Sequence, residues 1–315
     1  MKSGDDLLLD AIKTSNVELT KSLLEANTDP NVKYYEPLTI TYSNNTQFEM
    51  NSELGSALSF AVRDSTPAIT KLLLEAKAYP DYIAPRMQAS AWYERYTLLE
   101  SAIIVEKYSQ AITLIEGHAD VNFSKIRPGS ALWLATDKQN LILMKALIEA
   151  EANVNSSLAI FPAIRKDPLK LESIKMLLDA KVDVNIQNSS YNDSDTPLFN
   201  ALFYPECLKL LLEHKANPNL VNDKGESAII FAAKKTSEWN NPIKQCFDLL
   251  IEAKADLTMK TKENKTVFNV TKIRALRKYL HPFEPIKPSR WQTLFNKTSQ
   301  AVCNDAKQTP QFSKS

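Results

Sequence analysis

Glycine is scarce in this sequence, five residues in 315 against a usual share of about 7%. The five are Gly4, Gly55, Gly117, Gly129 and Gly225, no two closer than twelve positions. A phosphate-cradling loop needs clustered glycines so that several backbone N–H groups can approach the ligand. This spacing excludes P-loop nucleotide binding and the usual dinucleotide fingerprint. Cysteine is scarcer still. Cys207, Cys246 and Cys303 form no C-x-x-C pair, which fits a reducing compartment and argues against a disulfide framework. No stretch approaches the roughly eighteen apolar residues needed to span a bilayer. The opening MKSGDDLLLDAIK has too short an apolar run for a Sec-type signal peptide. Excess charge is lacking too: 38 basic and 37 acidic side chains leave +1, so no global field draws the chain toward nucleic acid or membrane. The expectation is a soluble, intracellular protein whose 44% hydrophobic content suffices for a core.

What is present is one phrase written many times. LLLEHKANPNL at 210–220 has close copies in SLLEANTDPNV at 22–32, ALIEAEANVNS at 146–156 and MLLDAKVDVNI at 176–186. Leu24, Leu74, Ile115, Ile148, Leu178, Leu212 and Ile251 occupy the same slot, with successive spacings of 50, 41, 33, 30, 34 and 39 residues. Variable spacing around 33 marks one structural unit with insertions and deletions between copies. Each copy opens with Ser or Thr before a short apolar helix, as in SALSFAV (56–62), TLLESAI (97–103), SALWLAT (130–136) and TPLFNAL (196–202). A second helix follows, and the unit closes on a turn such as Ala119-Asp120-Val121-Asn122 or Ala216-Asn217-Pro218-Asn219. The Ser/Thr oxygen suits an unpaired N–H at a helix start. Asn, Asp and Pro suit the turn because they bond locally or preset φ.

These residues resemble the ankyrin repeat, whose pattern runs G-x-T-P-L-H-x-A-A and then L-L-x-x-G-A-D-V-N. Thr196-Pro197-Leu198 matches the opener directly, and Gly225-Glu226-Ser227-Ala228 is a softened version. The resemblance covers about residues 5–280. It implies an all-α solenoid of about seven full repeats plus a truncated one, with the repeat domain at 1–282. Residues 283–315 form an extension with a short helix, in which Trp291, Leu294 and Phe295 share a docking face, and a disordered tail. One helix pair cannot bury its apolar face alone, so stacking makes the core continuous. The family's helix-ending glycine adopts a left-handed conformation, yet here that slot holds Asn27, Lys77, His118, Glu151, Lys181, Lys215 and Lys254. Each such residue costs on the order of 1 kcal/mol.

Candidate chemistry is sparse. His118, His214 and His281 sit in no H-E-x-x-H motif and near no cysteine at metal-ligand spacing. Cys207 and His214 lie two helical turns apart, about 10 Å, too far for a nucleophile–base pair. No catalytic, cofactor or metal site is expected. The reading is a non-enzymatic, monomeric interaction module whose partner is a protein.

Three features rise above the scaffold. Insertions at 34–54 and 82–95 lengthen consecutive inter-repeat turns, and with their flanks they hold seven of the eleven tyrosines. Leu38-Thr39-Ile40-Thr41-Tyr42 alternates like a strand, and Asn44-Asn45 suits a hairpin turn. Tyr34, Tyr35, Tyr42, Tyr82, Trp92, Tyr93 and Tyr96 are the expected partner-binding residues, because Tyr and Trp dominate interface hot spots. A shorter interruption at 234–243 carries Trp239, expected to be exposed. The C-terminal end is basic, with Lys272, Arg274, Arg277 and Lys278 as a candidate patch for an anionic surface. Attachment to membrane or nucleic acid through this patch, or an enzyme site hidden in the insertions, is the competing expectation. The Lys/Asn-rich, degenerate repeats look like those of bacterial effectors delivered into host cells by type IV secretion, which makes a host protein the expected partner.

Overall fold

A computed structural model describes residues 3–41, 47–83, 96–124, 130–165, 171–188 and 195–284; side chains of 36–52 lie outside that description. Tyr42, Trp92, Tyr93, Trp291, Leu294 and Phe295 fall outside the described residues. Helices come in pairs: α1 (Gly4–Lys13) with α2 (Val17–Glu25), α3 (Ala57–Asp64) with α4 (Pro67–Glu75), and α5 (Leu98–Ile104) with α6 (Tyr108–Glu116). They continue as α7 (Ala131–Asp137) with α8 (Leu141–Glu149), α9 (Ile160–Arg165) with α10 (Leu171–Asp179), and α11 (Pro197–Asn200) with α12 (Pro205–Glu213). Last come α13 (Ala228–Lys235) with α14 (Asn241–Glu252), and the short α15 (Val267–Val270) with α16 (Arg274–Leu280). First helices pack on first helices along the whole series, and second helices likewise from α2 to α10 and from α12 to α14. The fold is thus an all-α repeat solenoid. Its core is one continuous row, from Leu8 and Ile12 through Leu58, Leu99, Leu132, Ile160 and Ile229 to Leu276. Each fully buried Leu or Ile is worth about 1.5–3 kcal/mol.

Helix starts follow the Ser/Thr expectation in part. Ser56, Thr97 and Ser130 accept N–H bonds three residues on. Thr196 and Ser227 make no such bond; after Thr196, Pro197 removes one of the N–H groups that would need a cap. At Thr97 the cap is reciprocal, with Glu100 N–H donating to Thr97 Oγ1 at 3.1 Å and Thr97 N–H to Glu100 Oε2 at 3.0 Å. Glu100 is 0% exposed. Burial pushes its carboxyl above the ordinary value, against the Thr97 bonds that hold it down. A raised folded pKa means that the native state keeps its proton longer than the unfolded chain. Stability is therefore lost as pH rises from the ordinary carboxylate value through the raised one. Glu100→Gln keeps an acceptor without the charge. It should melt about 2–4 °C higher than the parent at neutral pH, a gap that closes in acid; a pH series of melts checks this.

All seven slots that lack the family glycine are left-handed, with φ from 59° at Lys181 to 71° at Lys77. Each closes the same pair of backbone bonds. Lys77 N–H donates to Leu74 C=O at 2.9 Å and Ala78 N–H to Leu73 C=O at 2.8 Å; Lys215 and Ala216 do the same to Leu212 and Leu211. This is the Schellman closure, which satisfies carbonyls the helix end would orphan. The same closure ends α1, α5 and α7, at Ser15, Glu106 and Gln139. Backbone hydrogen bonds hold the strained residues in place.

The closing turns do more than bond locally. Their first Asx accepts an N–H two residues on, as Asp120 does from Asn122 at 2.9 Å. Their second Asn reaches the next repeat. Asn122 Oδ1 accepts Asn153 N–H at 2.7 Å, while its Nδ2 donates to the carbonyl of left-handed Glu151 at 3.1 Å. Asn31 does this to Tyr79 and Lys77, Asn185 to Asn217 and Lys215, and Asn219 to Asp256 and Lys254. The strained residue is thus also the docking point for the preceding repeat. At the second junction the slot holds Asp81, which accepts Asp120 N–H at 2.7 Å and has no amide to give. Burial and the nearby Asp120 carboxylate push Asp81 above its ordinary value, opposed by that Asp120 N–H. On the opposite edge the same two repeats are strapped by Gln110, 3% exposed, whose Nε2 donates to Ala61 and Ser65 carbonyls at 3.2 and 3.0 Å. Lys107 adds a bond to the Arg63 carbonyl.

Candidate partner-binding surface

The first insertion forms an antiparallel hairpin, β1 (Lys33–Thr41) and β2 (Gln47–Ser56), paired from Lys33↔Ser56 to Thr41↔Gln47. It meets the strand expectation for 38–41. A bulge lies between Tyr34↔Gly55 and Tyr35↔Glu53. Gly55 serves it with φ +141°, where a Cβ would come within 2.3 Å of Ser59 Oγ. Single pairs Ile83↔Thr97, Asn188↔Asp195 and Val221↔Ser227 sit at the corresponding position in later repeats, just before a first helix. Both insertions therefore leave from one edge.

At the base of these fingers the expected aromatics divide. Successive strand residues point to opposite faces. Tyr34 turns inward, 7% exposed, edge-on to Phe60 at 5.6 Å, with its hydroxyl donating to the Asp5 carbonyl at 3.0 Å. Burial and three nearby aspartates raise its pKa. It is a core residue and cannot serve as the partner contact expected of it. Tyr35 turns outward, 53% exposed. Tyr82 is half-buried and bonds Glu53, with Lys33 Nζ 5.5 Å over its ring and 3.2 Å from Glu53. Lys33, Glu53 and Tyr82 thus clamp the two insertions together at their bases. Tyr96 is half-buried beside the Ile83↔Thr97 pair.

Two surface aromatics were missed. Tyr79 is the most exposed aromatic among the described residues, at 62%, and Phe123 stands on the next turn at 37%. A signal existed for Tyr79: the other six closing turns carry Asp29, Asp120, Asn153, Asp183, Asn217 or Asp256 in that slot. Giving up the local Asx bond for an exposed ring is a departure that folding does not require.

At the other end the structure corrects and divides the expectations. Trp239 is not exposed. It packs on Phe247 at 5.5 Å and Tyr279 at 5.1 Å, because the interruption at 234–243 folds back to cover the join between α14 and α16. The basic patch splits: Lys272 and Arg277 line a cleft of about 620 Å³, whereas Arg274 and Lys278 stand exposed on α16 outside it. Cys207 and Cys246 are fully buried in α12 and α14, their thiols pushed up to about 12 by burial. Thiols so protonated are poor nucleophiles. Among the described residues no three His, Cys, Asp or Glu side chains gather as a metal would need, and no helix is long and apolar enough to cross a membrane.

The paired helices, the left-handed closures and the bonded turns agree with the comparisons. The family model for ankyrin repeats, in three copies, matches residues 163–261. Residues 163–261 are ankyrin repeats. Over 103 residues it is 34% identical to ankyrin repeat protein R664 of Acanthamoeba polyphaga mimivirus, a match spanning 30% of this chain and 62% of the viral relative. An ankyrin repeat domain from Acinetobacter baumannii superposes with TM-score 0.50 at 22% identity, covering 67% of this chain and 98% of that one. So does a chain from the Bdellovibrio bacteriovorus predatory endopeptidase Bd0816 in complex with immunity protein Bd3460, at TM-score 0.50 and 21% identity over 59% of this chain and 97% of that one. At such identities these structures speak to the fold alone. Ankyrin repeats are protein–protein interaction modules, and the fold is typically non-enzymatic.

Proposed function

We propose that this repeat protein captures a protein partner through the finger edge of its first three repeats, with Tyr35, Tyr79 and Phe123 as anchors and the adjoining concave face as the remaining contact. The carrying observation is that Tyr35 on β1 and Tyr79 and Phe123 on the next two closing turns stand exposed, beside insertions clamped by Lys33, Glu53 and Tyr82. Rigid aromatic area with a polar tip is what interface hot spots use. Tyr42, Trp92, Tyr93 and Tyr96 belong to the same proposal, as further contacts on or beside the fingers. The finer reading is a bacterial effector, delivered by type IV secretion, that meets a host protein. It is supported by the repeat style, degenerate and rich in Lys and Asn.

Tyr35→Ser with Tyr79→Ser should lower capture of the partner from host-cell lysate at least tenfold, about 1.4 kcal/mol. The melt should stay within about 1 °C, because both rings are exposed. Quantitative mass spectrometry of parent and variant pull-downs makes the comparison. An identical set of captured proteins at equal yield would sink the finger reading.

A further inference from the structure

The cleft at the C-terminal end has a chemistry of its own. Its walls are the finger turns at 222–226 and 261–265 and the α15–α16 link. The two turns touch: Lys262 N–H donates to the Lys224 carbonyl at 3.2 Å, and left-handed Gly225 is so close that a Cβ would lie 3.1 Å from Lys262 N. Six basic and three acidic side chains line the space. Two of the acids are matched within it, since Lys234 Nζ is 2.6 Å from Glu226 and Lys265 Nζ 2.7 Å from Glu263. Among the described residues Lys262, Lys272 and Arg277 form no ion pair, while Arg277 is steadied by donating to the Thr271 carbonyl at 2.9 Å. The surplus of positive charge therefore falls on those three, in a chain whose overall charge is only +1.

We propose that this cleft binds an acidic peptide segment of a protein partner. The site and the partner chemistry are separate from the aromatic fingers, so the inference goes beyond the proposed function. Three observations select the occupant. The cations come from separate chain segments, which suits spaced carboxylates along an extended chain better than one compact anion. The Glu226–Lys234 and Glu263–Lys265 pairs interrupt the positive surface, which leaves no unbroken basic track for a uniform polyanion such as nucleic acid. A recessed space between turns is reached by a strand and not by the flat face of a bilayer. Exposed Asn269, with half-buried Thr261 and Val270, adds polar and apolar contacts for the peptide backbone and its small side chains.

The test uses the full chain and a short fluorescein-labelled peptide of alternating glutamate and glycine, read by anisotropy. Saturable binding is expected, weakening as sodium chloride is raised. Lys262→Glu with Lys272→Glu should lose about tenfold or more in affinity, with an unchanged melt because both side chains are exposed. If that double reversal perturbs the melt, Lys262→Gln with Lys272→Gln replaces it, with a severalfold loss. Tyr35→Ser with Tyr79→Ser should bind the peptide like the parent, so a failure of the finger reading leaves this result standing. Equal affinity in the folded charge variants, or no saturation, overturns the proposal. So does tighter binding of phosphatidylserine vesicles or a single-stranded oligonucleotide than of the peptide.

Discussion

Replacing Lys77, Lys181, Lys215 and Lys254 together by glycine should raise the thermal midpoint by on the order of 10 °C. All four are left-handed, with φ between 59° and 71°. There a Cβ crowds its own backbone at a cost of about 1 kcal/mol per site. Glycine removes that cost and keeps what the position does, since its N–H still closes the helix and its carbonyl still accepts the Asn bond of the preceding repeat where one is made. The four sites lie in repeats two, five, six and seven, well separated, so their effects should nearly add. About 4 kcal/mol in a chain of this size corresponds to the stated shift. Circular dichroism melts of single and combined variants give the increments. A midpoint that stays put or falls would show that the lysine side chains contribute contacts outweighing the backbone strain.

Asn122→Ala should cost about 2 kcal/mol and Asn122→Asp about half as much. The alanine removes both the acceptor for Asn153 N–H and the donor to the Glu151 carbonyl; the aspartate keeps the first. Each net bond is worth about 1 kcal/mol. Because a repeat array holds together through nearest-neighbour interfaces, the loss falls on one junction. Urea unfolding of the alanine variant should therefore broaden or split into two steps, each with a smaller m value. Equal costs for the two substitutions would show that the donated bond contributes nothing.

Much of this was legible beforehand. Seven recurrences of one apolar doublet gave the helix pairs, and alternation at 38–41 gave β1, because both are local periodicities that the chain must satisfy to bury its apolar faces. The site was read less well. Composition identified a tyrosine-rich stretch but not the face each ring takes. Tyr34 and Tyr35 are neighbours in sequence and opposites in space, and only the hairpin register decides between them. Trp239 misled because a polar interruption looks like a surface loop until Tyr279, forty residues away, supplies a partner. The basic run at 272–278 looked like one patch, yet α16 sends Arg277 toward the cleft and Lys278 away from it.

Asp81 has a mechanical consequence. Among the described residues, the closing turns of the second and third repeats are fastened on the finger edge by the Asp81 bond, and the far edge is held by Gln110 and Lys107. A book bound along one side opens along the other. Rocking of the leading two repeats about the Gln110 side would spread Tyr79 from Phe123, adjusting the gap between these two anchors without breaking the spine.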